Sequence, residues 1–233
     1  MERFEDSVPV IFSCHGLDVT ISEKILNAAA VHLVSEVQIP REHESGTDAV
    51  RFSVIPNYSD AIRHKDSTRN VGIVGRLGDP KKNVRNAAVA ALKSKAQYVH
   101  LWGDGDVGLI DERLVVHGFT LDKEEIYRSF DVLLSLSLEE SFGMAVIEAM
   151  SAGIPCVLSN IPAFEKFADC PGVDIVDPDD INQVVSAIDR ALEASEDIRA
   201  KMQEYWEARY SREAVKESWI GLVESIIGDQ IRY

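Results

Sequence analysis

From residue 70 onward the chain alternates short, unbroken runs of Val, Ile and Leu with stretches of helical periodicity, and few folds accommodate that pattern. The apolar runs are "NVGIVGR", "AQYVHLWG", "RLVVHGF", "DVLLSLS", "IPCVLSN" and "GVDIVD". Among them lie the Ala-rich "VRNAAVAALKSK", the short "KEEIYRSF" and a helical stretch near "AFEKFAD". A strand with one solvated face would alternate apolar and polar residues. Strands apolar throughout need cover on both faces, so the pattern predicts a doubly wound α/β domain with a parallel sheet between helical layers. Further on, "PDDINQVVSAIDRALEA" predicts an amphipathic helix capped by Asp179 or Asp180, with Ile181, Val184, Val185, Ile188 and Leu192 as its buried stripe.

The first 60 residues are organised differently. "VPVIFSCHG", "AAVHLVSE" and "RFSVIPN" read as three more strands, with "ISEKILNA" a helix between the first two and "QIPREHESGTD" a polar loop. Three strands make a poor independent unit, so this part is expected to pair with something else. The boundaries read as 1–64, 65–210 and 211–233, with "YSDAIRHKDSTR" leading into the second unit.

Composition narrows the function. A formal net charge of −15 opposes broad electrostatic binding to nucleic acid or anionic lipid. A local Arg/Lys pair can still hold an anion, because surface charge is screened beyond about 10 Å. Cys14, Cys156 and Cys170 lack metal-ligand spacing and read as reduced thiols of a cytoplasmic protein. No apolar run approaches the roughly 18 residues of a membrane span. The start "MERFEDSVPV" is acidic, unlike a signal peptide.

Three segments bear on chemistry. Gly103-Asp-Gly105-Asp-Val-Gly108 matches G-x-G-x-x-G, yet too few residues follow before the next predicted strand to form a crossover helix, and Asp104 and Asp106 would repel a pyrophosphate. A tight surface turn is expected there. "VGRLGDPKKN" is better placed. Gly75 ends a strand, Arg76 leaves its carboxyl end, and Lys81, Lys82 and Arg85 follow closely. Ligands bind at that edge of a parallel sheet, and Arg with Lys suits a diphosphate, although a solvated basic loop would look the same.

The third segment is "EESFGMAVIEAM". Ser141, Phe142 and Gly143 stand where a helix should begin, and the free amides of a first turn bind anions or hydroxyls. Glu140 precedes the helix. Glu148 lies about 7–8 Å further along its axis than Gly143, at 1.5 Å per residue. Acceptors at such different depths suit an extended ligand with hydroxyls at both ends, such as a sugar joined through phosphates to a ribose. The plainer alternatives are a dipole-favoured carboxylate for Glu140 and a surface or salt-bridged residue for Glu148. Apolar neighbours on all sides of Glu148 argue that it needs a partner.

Read from Glu140-Ser-Phe-Gly through Glu148-Ala-Met-Ser-Ala-Gly153-Ile-Pro155, this segment resembles the E-x7-E signature of retaining glycosyltransferases of the GT-B fold. The resemblance extends back through "FDVLLSLS", "VVHGF" and the "WGDGD" turn to "VGRLGDPKKN", and forward to "SREAVKESW". It implies that 65–210 is a Rossmann-like donor domain, that 1–64 is a fragment of the acceptor-side domain, and that 211–233 is a C-terminal helix packing back toward the N-terminal part. Arg76 and Lys82 would then bind the donor diphosphate as leaving group, near Gly75. Glu140 would bind sugar hydroxyls with the amides of Phe142, Gly143 and Met144, beside Ser141. Glu148 would bind the ribose, Gly118 and Phe119 would lie near the base, and His15 would stand at the reaction centre unless it is an ordinary loop histidine. The family typically needs no metal or other cofactor. The implied function is retaining transfer from a nucleotide-diphosphate sugar to an unknown glycan, lipid or protein acceptor. A partner chain or a second copy would complete the acceptor side. A non-catalytic nucleotide-sugar-binding or scaffolding subunit is the alternative.

Overall fold

The computed structural model describes residues 11–16, 29–39, 51–63 and 68–230. The helix expected at 21–28 and most of the polar loop at 38–48 lie outside the described residues.

The main sheet has strands β4 (Val71–Val74), β5 (Val99–Trp102), β6 (Leu114–Gly118), β7 (Val132–Ser135), β8 (Cys156–Ser159) and β9 (Val173–Val176). Their spatial order is β6-β5-β4-β7-β8-β9, every pair parallel. This is the doubly wound arrangement that the apolar runs predict. The order reverses between β4 and β7, and at that point the loops leaving the two strands diverge and open a crevice.

Both faces are covered. On one, α1 (Val84–Lys93) and α5 (Ile181–Ala191) share a cluster with Ile73, Leu101 and Leu134. The buried stripe of α5 is Val184, Ala187, Ile188 and Ala191, continued by Leu192 just beyond it; Ile181 and Val185 are only half-buried. The alanines face the Ala-rich side of α1, where Ala87, Ala88 and Ala91 are also buried, and small residues on both helices allow close approach. Asp180 caps α5 by accepting from the amides of Asn182 and Gln183.

The opposite face carries the aromatic core: Phe130, Phe164, Phe167, Met202 and Trp206 packed on Leu133, Ile147 and Met150. Its helices are α2 (Lys123–Tyr127), α3 (Met144–Ser151), α4 (Pro162–Glu165) and α6 (Glu196–Tyr210).

A second, three-stranded sheet contains β1 (Ile11–Cys14), β2 (Ala30–Leu33) and β3 (Phe52–Val54), parallel and in that order. The last helix, α7 (Arg212–Gln230), lies against it: Val215, Leu222 and Ile226 form one cluster with Ala30 and Ile55. His15, just past the carboxyl end of β1, lines the crevice of the main sheet.

Candidate active site

At the switch point the chain forms a cleft of about 430 Å³. Gly75 and Arg76 come from the end of β4, Lys82 from the 3₁₀ turn Pro80–Lys82, and Glu140 to Met144 from the loop between β7 and α3. Glu148 lines its depth and His15 its opposite wall. A second cavity of about 310 Å³ shares Val74, Gly75, Arg76 and Lys123 with the first and continues past Trp102 to Gly118 and Phe119. His15, Gly75, Arg76, Lys82, Glu140 to Met144, Glu148, Gly118 and Phe119 therefore line one continuous trough.

The helix start is built by Gly143, which holds φ of +101° at the N-cap of α3. A β-carbon there would come within 2.9 Å of the Phe164 ring, so glycine serves both the turn and the packing. The Gly143 carbonyl accepts from Val146 and Ile147. The amides of Phe142, Gly143, Met144 and Ala145 find no acceptor among the described residues, leaving four donors at one spot.

Lys82 Nζ donates to Glu140 Oε1, and the Ser137 hydroxyl donates to the same oxygen at 3.2 Å. Their side chains are 20% and 16% exposed, so this pair is partly desolvated. Arg76 is 77% exposed and lies 2.6 Å from Asp79, which itself accepts from the Lys81 amide. Lys81 and Arg85, which the sequence placed with the other basic residues, point elsewhere. Lys81 pairs with Glu139 at 2.6 Å, and Arg85 donates to the Val107 and Gly108 carbonyls.

Glu148 is 7% exposed and has the partners its apolar surroundings demand. The Tyr127 hydroxyl donates to Oε2 at 2.6 Å and Lys123 lies 3.1 Å from Oε1. Tyr127 is fully buried, and burial first, then the adjacent carboxylate, pushes its phenol well above the ordinary value, so it remains a donor. Lys123 and Tyr127 were missed in the sequence. The signal was present as an i, i+4 pair, which places both on one face of "KEEIY".

The remaining expected positions are accounted for by the same trough. The "HGF" turn brings Gly118 and Phe119 to its far end, where Phe119 is 66% exposed. The preceding His117 stacks on Trp102 with ring centroids 3.8 Å apart. The G-x-G-x-x-G stretch is a turn, and no helix follows it before β6. Among the described residues no group of three His, Cys, Asp or Glu is gathered as metal ligands would be, and no helix is long and apolar enough to cross a membrane.

Behind Phe142 sits an unusual lysine. Lys166 Nζ lies 3.6 Å from the centre of the Phe142 ring and has no hydrogen-bond acceptor among the described residues. Burial pushes its pKa down to about 7, against the opposing pull of Glu140 and Glu36. An unfolded lysine titrates near ~10.4. The folded chain therefore carries a penalty that is full below pH ~7 and is relieved as pH rises toward ~10.4, where both states are neutral. Lys166→Met is expected to stabilise the fold by about 1–3 kcal/mol at pH 7 and to lessen the rise of stability toward pH 10. Denaturant unfolding of both proteins across that range checks this, and parallel pH curves would refute it.

A family model described as "Glycosyl transferases group 1" matches residues 68–194, more than half of the chain. A UDP-Gal:alpha-D-GlcNAc-diphosphoundecaprenol alpha-1,3-galactosyltransferase of Escherichia coli is 30% identical over 148 residues, covering 49% of this chain and 38% of that protein. A phosphatidyl-myo-inositol mannosyltransferase of Mycolicibacterium smegmatis is 29% identical over 172 residues, 64% of this chain and 44% of that protein. The chain spans between 22% and 44% of the length of the curated relatives it matches. Among solved structures, Anabaena HepE in complex with UDP and glucose superposes with a TM-score of 0.76 at 18% identity, over 93% of this chain and 72% of that one. Sucrose-phosphate synthase from Thermosynechococcus elongatus gives 0.77 at 18%, over 94% and 68%. At those identities the likeness carries the fold, which is that of GT-B glycosyltransferases.

Proposed function

The chain belongs to the group 1 glycosyl transferases, and we propose that it is the donor-binding part of a retaining glycosyltransferase that moves a sugar from a nucleoside diphosphate to a hydroxyl acceptor. One observation carries this reading: cations, open amides and two carboxylates at different depths line one trough at the switch point. The diphosphate lies at Lys82 and Arg76, with the sugar between Glu140 and the amides of Phe142 to Met144. The ribose reaches Glu148, and the base enters the second cavity beside Gly118 and Phe119. In the reaction the bond between the sugar's anomeric carbon and the phosphate oxygen breaks, and a bond from the acceptor oxygen forms on the same face. The acceptor's proton passes to the departing phosphate oxygen. Lys82, Arg76 and the helix start balance the charge that develops there, as preorganised donors do in a partly dry site. This chemistry needs no metal.

Relatives and neighbours named with UDP or UDP-Gal make UDP-sugars the first donors to try. The test is calorimetric titration with UDP-, GDP- and ADP-sugars, followed by an assay of nucleotide release with and without a candidate partner chain. One nucleotide series is expected to bind. Arg76→Ala should weaken it by about tenfold or more through loss of a charge-assisted contact. Glu140→Ala should reduce the affinity of the nucleotide sugar to that of the bare nucleotide. If no nucleotide sugar binds, or if both variants bind like the wild type, the reading fails.

A further inference from the structure

Beneath His15 the small sheet contains a row of polar side chains that the reaction above does not use. The register sets Ser13 of β1 directly opposite His32 of β2. His32 is 3% exposed, and its Nε2 lies 2.8 Å from the Ile55 carbonyl. A carbonyl only accepts, so Nε2 carries hydrogen. Burial also holds the His32 pKa below the ordinary imidazole value, which keeps the ring neutral and leaves a lone pair on Nδ1. Ser13 Oγ lies 2.7 Å from that Nδ1, and its single hydrogen is spent there. Toward His15 Nε2, 3.1 Å away, the same oxygen can then only accept. The bond requires a hydrogen on His15 Nε2, and in the neutral ring Nδ1 is left as the acceptor. Trp219 of α7 packs on His32 with ring centroids 4.4 Å apart and holds the row from below.

We propose that Ser13 is a positioning residue. Through the row from the Ile55 carbonyl to His32 to Ser13, it fixes His15 as the Nε2–H tautomer and leaves Nδ1 to accept a hydroxyl hydrogen from the sugar being transferred. The inference rests on the donor-site reading, since His15 matters to the reaction only as part of that cleft wall. It also gives α7 a task beyond packing, because Trp219 within that helix packs on His32, which Ser13 links to His15 at the cleft. An alanine at position 13 would leave His32 in place, still tied to Ile55, while freeing His15 to choose either tautomer.

Long-range ¹H–¹⁵N spectra of the ¹⁵N-histidine-labelled chain report the tautomers directly, with the two resonances assigned through His15→Gln and His32→Gln. In the wild type both rings are expected as Nε2–H. Ser13→Ala should leave the His32 signal as it is and shift His15 to a mixture. It should also lower the rate of UDP release from the bound nucleotide sugar about tenfold, the size of one lost hydrogen bond, with UDP affinity within about twofold of wild type. Ser13→Thr keeps the hydroxyl on a residue suited to a strand and should restore both signal and rate. An Nδ1–H signal for His15 in the wild type, or an unchanged His15 signal in Ser13→Ala, overturns the proposal. A wild type that shows the expected tautomers but binds no nucleotide sugar sinks the donor reading instead, and the positioning role with it.

Discussion

Lys82→Met is expected to lower donor turnover by about a hundred- to a thousandfold, the range seen when one preorganised donor to a developing negative charge is removed. Lys82 and Glu140 satisfy one another in the trough, at 20% and 16% exposure, and Ser137 gives Glu140 a second hydrogen bond. On the proposed reading, a diphosphate entering the trough competes for the lysine and frees Glu140 to accept sugar hydroxyls, so the ion pair joins two groups that would serve different parts of one ligand. Methionine keeps the packing of the aliphatic stem but removes the charge, so the leaving group loses its neutralising cation and Glu140 loses its partner. Lys82→Arg is expected to rescue poorly, since a planar fork cannot take the place of a compact point charge held by both Glu140 and a phosphate. The measurement is kcat and KM for nucleotide release, with the melting temperature as a control for folding. A folded Lys82→Met protein with turnover within about threefold of wild type would remove this lysine from the leaving-group role.

The sequence was informative about this site to the extent that the relevant signals were local. Unbroken apolar runs predict strands covered on both faces, and six of them with the right spacing give the sheet and its switch point. The Glu140–Gly143 turn was legible because a glycine with free amides, a flanking acid and an apolar helix stand side by side in the chain. What could not be read was where long side chains would turn. Lys81, Lys82 and Arg85 look equivalent in sequence, yet Glu139, Glu140 and the Val107 and Gly108 carbonyls divide them among three destinations. Those partners lie more than 20 residues away, and no local pattern encodes the choice. The partners of Glu148 were hidden in the same way. The apolar neighbours of Glu148 imply that a partner exists, while Lys123 and Tyr127 sit on a helix that reads as a mere connector. His32 gave no sign at all, because a histidine within an apolar run looks like any core residue until the register sets it opposite Ser13.

The glycines of "WGDGDVG" lead to the second large effect. They do not form a phosphate loop, yet Gly103 is expected to tolerate nothing larger, and Gly103→Ala should cost about 3 kcal/mol or more of stability and at least about tenfold in nucleotide-sugar affinity. Its φ is +135°, a region that side chains rarely adopt, and an added β-carbon would fall on the Gly75 carbonyl oxygen, well inside contact distance. Backbone bonds tie this turn to both halves of the trough. Gly75 N donates to the Trp102 carbonyl at 2.9 Å, Leu77 N to Asp104 at 2.7 Å, and Gly103 N to Gly118 at 2.8 Å. A methyl group must push the turn away from the Gly75–Leu77 segment, and that movement displaces Arg76 together with the Gly118 end of the second cavity. Gly108 supplies the contrast. Its φ of +61° lies where an L-residue is only mildly strained, and a β-carbon there would meet just the tip of Arg85 at 3.2 Å. Gly108→Ala is expected to cost about 1 kcal/mol and to leave nucleotide-sugar binding near wild type. Were the stretch a dinucleotide fingerprint, all three glycines would matter to binding for the same reason. Unfolding and nucleotide-sugar titration of the two variants separate these cases, and equal losses of affinity at Gly103 and Gly108 would refute the close-approach account of the turn.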